Sequence, residues 1–447
     1  MSRFLTKYRP HYASLLMMGA PILVGQLGMV ATGILDAIMV GRYSTESLAA
    51  ASFVINIFNL VNVASLGFSY GLTPIIATAF GRGDNAAIGR SLLNGVSLNL
   101  LFGVAATMAM TGFYFAIESM GQPVELYPLI KPYYITFLLS MLPMIYVNAL
   151  RQFTDGVTDT PTAMWIILGG NALNVAGNYL LIYGKLGLPE LGLFGAGVST
   201  LATRLLMAAA YTVTVARRGR YAPYVAAMRS ARVEWRVMRG VLATSAPISV
   251  QMGLETAAFT AAGIMVGWIG TVALAASQVM LTIGSFGFMI YYGIAAATSI
   301  RIANFNGAGD RQALRRCSLA GYHLNLASAV AVGVVFYLLC EPVIRLFTRD
   351  AAVVATSLTL VWPLIIYQFG DATQAAYSNA LRGIADVKPV MRISAVAYVV
   401  VGLPVSYLLA FPLGLGVVGI FLSFSVPLML AGGLFIHRFY THPAVRR

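Results

Sequence analysis

Charge is scarce in this chain. Lys, Arg, Asp and Glu together make up 10% of its 447 residues, where soluble domains carry ~25%. That shortage excludes a water-soluble globule. It also excludes intrinsic disorder, which requires high charge and low hydrophobicity. Cysteine is nearly absent: Cys317 and Cys340 are too few for a disulfide scaffold or a Cys-based zinc site. The 4 histidines, His11, His323, His437 and His442, are scattered, and no HExxH, GxSxG or Walker pattern occurs. A hydrolase would need a paired nucleophile and base or clustered metal ligands, so no enzyme is expected. What the chain has in excess is apolar surface: 59% hydrophobic residues and a mean hydropathy of +0.79. A core for a chain of this size needs far less, so most of that surface must face lipid.

Twelve stretches are long enough for a membrane-spanning helix of about 20 residues. They run approximately 13–37, 47–77, 91–116, 130–150, 162–183, 194–216, 240–268, 272–300, 318–340, 355–380, 391–411 and 415–437. The first carries Asp36 and has no small-residue cleavage site, so it is not a cleaved signal peptide. The net charge of +14 comes with a strong asymmetry. If the N-terminus is cytoplasmic, only Arg42, Lys131, Lys185, Arg345 and Arg349 fall on the opposite side, and Arg204 falls inside a span. The other Lys and Arg lie on the cytoplasmic side, Arg151 and Arg382 among them. A central run holds Arg217, Arg218, Arg220, Arg229, Arg232, Arg236 and Arg239, and Arg438, Arg446 and Arg447 lie in the tail. Acidic loop residues divide evenly. The basic excess therefore reads as positive-inside topology with both termini cytoplasmic, and no nucleic-acid partner is expected.

The chain repeats itself. At an offset of 226, Met39-Val40-Gly41 meets Met265-Val266-Gly267, and Gly81-x-Gly83-Asp84 meets Gly307-x-Gly309-Asp310. At 231, Asn148-Ala149-Leu150-Arg151 meets Asn379-Ala380-Leu381-Arg382. At 224, Gly192/Gly195 meets Gly416/Gly419. Ordered matches at a nearly constant offset indicate duplication. Six helices per half is an even number, so the halves share one orientation and form a parallel repeat about an axis along the membrane normal. The fold expected is an all-α polytopic membrane protein of 12 transmembrane helices in two six-helix lobes. An N-lobe covers 1–216, a basic cytoplasmic linker 217–239 and a C-lobe 240–447. Secondary transporters of this plan bind substrate in a cleft between lobes.

Three carboxylates lie inside the spans: Asp36, Glu255 and Asp371. On insertion scales, Asp at the bilayer centre costs roughly 2.5–3.5 kcal/mol. Arg204 is the one basic residue near mid-span, so protein cations do not balance the three acids. A proton, an inorganic cation or a cationic solute must do so, which is the physical argument for cation-coupled transport. Asp36, close to Gly41 and Arg42, leaves open a place at a helix end. None of the three acids has an acidic counterpart in the repeat: Asp36 meets Ala262, Glu255 meets Met29, and Asp371 meets Ser140. Tyr367 and Gln374 lie within one helical turn of Asp371. Gln278, Asn174 and Asn178 are further intramembrane amides, the last two sharing a face. Such oxygens suit a hard cation such as Na⁺, with Glu255 and Asp371 as the candidate metal ligands. Phe288, Tyr291 and Tyr367 are placed to contact a lipophilic cation by cation–π attraction.

At these residues the sequence resembles the multidrug and toxic compound extrusion (MATE) transporters, in their NorM-like branch. The segments that carry the resemblance are Leu35–Gly41, Ala149–Gly156, Ile182–Lys185 with Pro189–Gly192, Glu255, and Tyr367–Asp371. The resemblance implies two six-helix lobes and export of small-molecule drugs, as organic cations or hydrophobic compounds, in exchange for Na⁺ or H⁺. It places the cation site on Glu255, Asp371 and Tyr367, and a role in substrate or proton coupling on Asp36. The family's alanine-histidine-glutamine step reads Ala276-Ser277-Gln278 here, which leaves the histidine's place unfilled. A monomer in the plasma membrane, the inner membrane of a bacterium, is expected, with membrane lipid around it and no cofactor beyond the coupling ion. The competing expectation is a lipid-linked oligosaccharide flippase of related architecture. Its cavity would be rich in Arg and Lys to hold pyrophosphate, and one mid-span arginine argues against that.

Overall fold

The structure is a computed structural model that describes Ser2–Arg446. Met1 and Arg447 lie outside the described residues, as do the side chains of residues 2–6, so of the basic residues placed on the cytoplasmic side above, Arg447 and the side chain of Arg3 have no structural description. Sixteen α-helices follow in order: α1 (Ser2–Tyr43), α2 (Thr45–Tyr70), α3 (Leu72–Gly81), α4 (Asn85–Ala116), α5 (Tyr127–Gly156), α6 (Thr160–Ile182), α7 (Gly192–Arg217), α8 (Ala222–Ser230), α9 (Trp235–Ile269), α10 (Thr271–Ala308), α11 (Arg311–Phe347), α12 (Ala351–Thr359), α13 (Val361–Gly383), α14 (Val387–Ser394), α15 (Leu403–Ala410) and α16 (Gly416–Thr441). Among the described residues there is no strand.

Among the described residues, eleven segments are long and apolar enough to cross a membrane, and twelve if α12 and α13, bent by 46° at their junction, make one span. These coincide with the twelve stretches expected, but most helices run past the apolar part. α9, for example, begins at Trp235, inside the basic segment 217–239. Pro404, in the first turn of α15, has no N–H to return to the turn before it as an α-helix would need. The chain widens there into a π-helical stretch over Ala395–Gly402.

The duplicated motifs prove to be helix caps. Gly83 and Gly309 adopt left-handed backbone at φ 71° and 73°, which glycine alone adopts without strain. Asp84 and Asp310 then accept from the backbone N–H groups of Ala87 and Ala313, each at 2.8 Å, and cap α4 and α11. A second pair follows α5 and α13. Asp159 and Asp386 each meet arginines near the end of the last helix of their half. Arg218 and Arg220 stand 3.6 and 3.7 Å from Asp159, and Arg438 stands 2.6 Å from Asp386.

The chain divides into two compact units. One is Val24–Ser249. In it α5 packs against α2, α4 and α7, around buried Phe58, Tyr134 and Phe153. The other is Met1–Leu23 with Val250–Arg447. There α13, the repeat counterpart of α5, packs against α10, α11 and α16. Its core includes Tyr291, Leu364 and Phe421. Each unit is thus centred on the helix that carries the Asn-Ala-Leu-Arg motif.

Candidate cation and substrate sites

In the unit containing Val250–Arg447, three helices converge on Glu255. Gln251, one turn earlier on α9, donates its Nε2–H to Glu255 Oε1 at 2.9 Å. From α13, Gln374 Nε2 donates to the same oxygen at 2.9 Å. From the end of α14, Ser394 Oγ donates to it at 3.5 Å. Gln251 is itself held, because its Oε1 accepts from Arg382 Nη2 at 3.0 Å. Sequence reasoning found Gln374 but missed Gln251, Ser394 and Arg382.

Asp371 lies one turn before Gln374 on α13 and is 4% exposed. Its Oδ2 has no hydrogen-bond partner among the described residues, and neither does the hydroxyl of Tyr291, which is wholly buried. Glu255, Tyr291, Tyr367 and Tyr398 all stand within electrostatic range of Asp371. Phe259 links two of these tyrosine rings, with centroids 6.4 Å from Tyr367 and 6.3 Å from Tyr398. Phe424 closes the same shell against Phe259 at 5.0 Å. The result is two carboxylates beside an aromatic wall: Glu255 Oε1 accepts from three donors, while Asp371 Oδ2 has none among the described residues.

Two expectations are corrected here. Arg151 and Arg382, assigned above to cytoplasmic connections, are only 4% and 7% exposed. The cause is the length of α5 and α13, which continue past their apolar stretches and carry both arginines into packed interfaces. Arg151 there stands 3.8 Å from Asp155. The count of counter-charges shifts accordingly. Glu255 has a guanidinium behind Gln251, whereas nothing comparable among the described residues of its unit reaches Asp371.

The other unit, Val24–Ser249, holds Asp36 on α1. The helix continues to Tyr43, so Asp36 sits well inside it rather than at its end. Asn178 Nδ2 donates to Asp36 Oδ1 at 2.6 Å. The spacing of Asn171, Asn174 and Asn178 on α6 sets all three on one face. A cavity of about 350 Å³ opens here, lined by Asp36, Asn171, Asn174, Thr200 and Arg204 among others. Asn174 Nδ2 donates to Thr200 Oγ1 at 3.4 Å, while Asn174 Oδ1 and Asn171 Nδ2 have no partner among the described residues. Arg204 is in electrostatic range of Asp36. It donates to Ser140 Oγ at 2.7 Å and lies 5.4 Å from the Phe137 ring centroid. Ser140 is the repeat counterpart of Asp371. One position therefore holds a buried acid in one unit and an arginine-bound hydroxyl in the other.

The remaining candidates lie apart. Gln278 and Phe288, on α10, are exposed, and Phe288 packs against Tyr292 at 5.7 Å. Neither belongs to the acid cluster of its own unit.

The MatE family model matches residues 21–180 and 247–408, a segment in each half. The chain is 32% identical over 438 residues to "Probable multidrug resistance protein NorM" of Rhizobium meliloti, covering 96% of this chain and 93% of that protein. It is 31% identical over 432 residues to the protein of the same name in Bradyrhizobium diazoefficiens, with the same coverage. Among solved structures, the fold matches the outward-facing conformation of a multidrug resistance MATE family transporter with a TM-score of 0.88 at 19% identity, covering 96% of this chain and 95% of that one. It matches the eukaryotic MATE transporter AtDTX14 with a TM-score of 0.86 at 16% identity, covering 98% and 97%. With both halves matched by one family model, and relatives sharing nearly a third of their residues along almost the full length, this chain belongs to the MatE family.

Proposed function

We propose that the chain is a multidrug antiporter of the plasma membrane. It exports organic cations and hydrophobic drugs in exchange for Na⁺ or H⁺ bound at Glu255 and Asp371. The names of its bacterial relatives support the substrate class. The observation that carries the coupling is the open Oδ2 of buried Asp371, within electrostatic range of a second carboxylate. Two like charges in one buried site do not both persist without a compensating cation or proton. An isolated buried charge costs several kcal/mol even after the protein relaxes. Binding a cation at Asp371, with Tyr367 beside it, removes that cost.

Coupling then follows from differential affinity. A ligand shifts a conformational equilibrium only by the difference in its affinity for the two states. A cation that favours one arrangement of α9, α13 and α14 opposes a drug that favours the other. The cavity at Asp36, with its unpartnered amide groups and one aspartate, offers hydrogen bonds and a negative charge to a cationic drug. The test is efflux of ethidium from proteoliposomes under separately imposed Na⁺ and H⁺ gradients. One of the two gradients is expected to drive efflux in the wild type, and neither is expected to do so in Asp371→Asn or Glu255→Gln. Wild-type efflux in both variants would overturn the assignment.

A further inference from the structure

The segment after α7 is not a free tether. In the Val24–Ser249 unit, α8 lies against α4 so closely that a Cβ at Gly89 would come within 2.5 Å of the Met228 backbone nitrogen. Asn94 fastens the chain beyond α8: its Nδ2 donates to the Arg232 carbonyl at 3.2 Å, and its Oδ1 accepts from the Glu234 N–H at 2.7 Å. Before α8, Tyr221 donates its hydroxyl proton to buried Asp159 at 2.5 Å. These ties hold α8 in place over a cleft of about 260 Å³.

The cleft has an amphipathic plan. Leu93, Val96, Leu150, Val215 and Met228 supply apolar wall, and Arg229 lines it from α8. Tyr146 and Thr212, which also line it, are hydrogen-bonded to each other at 2.9 Å and satisfy one another's hydroxyls. Arg218 and Arg220 are committed to Asp159. Arg229, and Arg217 and Arg232 in the same basic segment, have no acidic partner within ion-pair distance among the described residues. The cleft therefore joins an apolar slot to uncompensated positive charge, on the side that the Lys/Arg asymmetry assigns to the cytoplasm. Basic pockets between transmembrane helices on that side take anionic lipid headgroups.

We propose that this cleft binds one anionic phospholipid of the cytoplasmic leaflet, with an acyl chain in the apolar slot and the headgroup at Arg229, supported by Arg217, which directly follows the lining residue Ala216 at the end of α7. Charge complementarity selects the occupant, because a zwitterionic lipid fills the slot equally well but leaves the arginines without a net counter-charge. Each basic residue near an anionic headgroup contributes about fivefold in affinity.

Native mass spectrometry of the full-length protein, released from detergent with added phosphatidylglycerol or phosphatidylcholine, tests the site. The wild type is expected to retain one phosphatidylglycerol in clear preference to phosphatidylcholine. Arg229→Ala is expected to weaken retention about fivefold, and Arg217→Ala with Arg229→Ala about 25-fold. Val96→Trp, which fills the slot, is expected to abolish it. Arg229 is exposed, so its variant folds even where the tryptophan variant does not. Undiminished retention in Arg229→Ala, or equal retention of the two lipids by the wild type, would overturn the proposal. So would displacement of the lipid by millimolar inorganic phosphate, which would make the arginines a free-phosphate site.

Discussion

Arg382→Ala is expected to tighten the grip on the coupling cation rather than loosen it. In the structure Arg382 fixes the Oε1 of Gln251, which forces the amide N–H toward Glu255. Both the oriented amide and the guanidinium behind it stabilise Glu255 as a bare carboxylate, which is the ion-free state. Removing the arginine leaves a buried amide oxygen unpaired and frees the amide to turn away. A hydrogen bond to a charged group contributes about 1.5–3 kcal/mol, equivalent to a factor of about 10–150 in an equilibrium constant. The ion-free state loses that stabilisation while the cation-bound state does not. The half-saturating cation concentration is therefore expected to fall by tenfold or more, and drug-driven cation release is expected to slow. Titration of ion-induced drug release in proteoliposomes, with Na⁺ at fixed pH and with H⁺ in the absence of Na⁺, reads the change. Arg382→Lys keeps the charge without the planar fork and is expected to fall between. An unchanged or weaker cation response in Arg382→Ala, in protein that still binds drug, would refute the relay.

Other expectations follow from the same geometry. Thermal stability of the wild type is expected to rise with the coupling cation, by ~2.7 kcal/mol at a hundredfold excess over its dissociation constant, and a melting series on Asp371→Asn is expected to show no such rise. Asn178→Leu removes the 2.6 Å donor to Asp36 and is expected to lower drug affinity at the α1–α6 cavity roughly tenfold or more, measured by equilibrium drug binding. Gln278→Ala, at an exposed position outside the acid cluster, is expected to leave cation affinity unchanged. Asp159→Ala strips Tyr221 and Thr162 of their shared acceptor. It is expected to cost about 1–3 kcal/mol and to expose the segment around α8 to limited proteolysis; equal protease resistance would contradict that.

Much of this architecture was written in simple patterns. Apolar length located every span, because lipid requires it. The Gly-x-Gly-Asp motif was legible as a repeat, and its meaning as a cap became clear only with the left-handed glycines and the 2.8 Å bonds. The acids were legible because an ionised group among apolar neighbours has few innocuous explanations. Their partners were not. Gln251 and Ser394 are ordinary polar residues until the rotation of α9 and α14 about their axes turns them toward Glu255. Arg382 was assigned to a connection because hydropathy marks where apolar character ends, not where a helix ends. Gln278 and Phe288 lie on exposed faces of α10, outside the acid cluster, because a helical span offers all its faces to sequence reasoning and packing alone decides which is buried.

The central claim is that drug and cation compete through Glu255 and Asp371, and ion release on drug addition measures that competition most directly. Purified protein loaded with Na⁺, or equilibrated with a pH indicator in weak buffer, is mixed with saturating drug. The account predicts release of Na⁺ or of protons from the wild type and of neither from the Glu255→Gln, Asp371→Asn double variant. Undiminished release from a double variant that binds drug normally would contradict it.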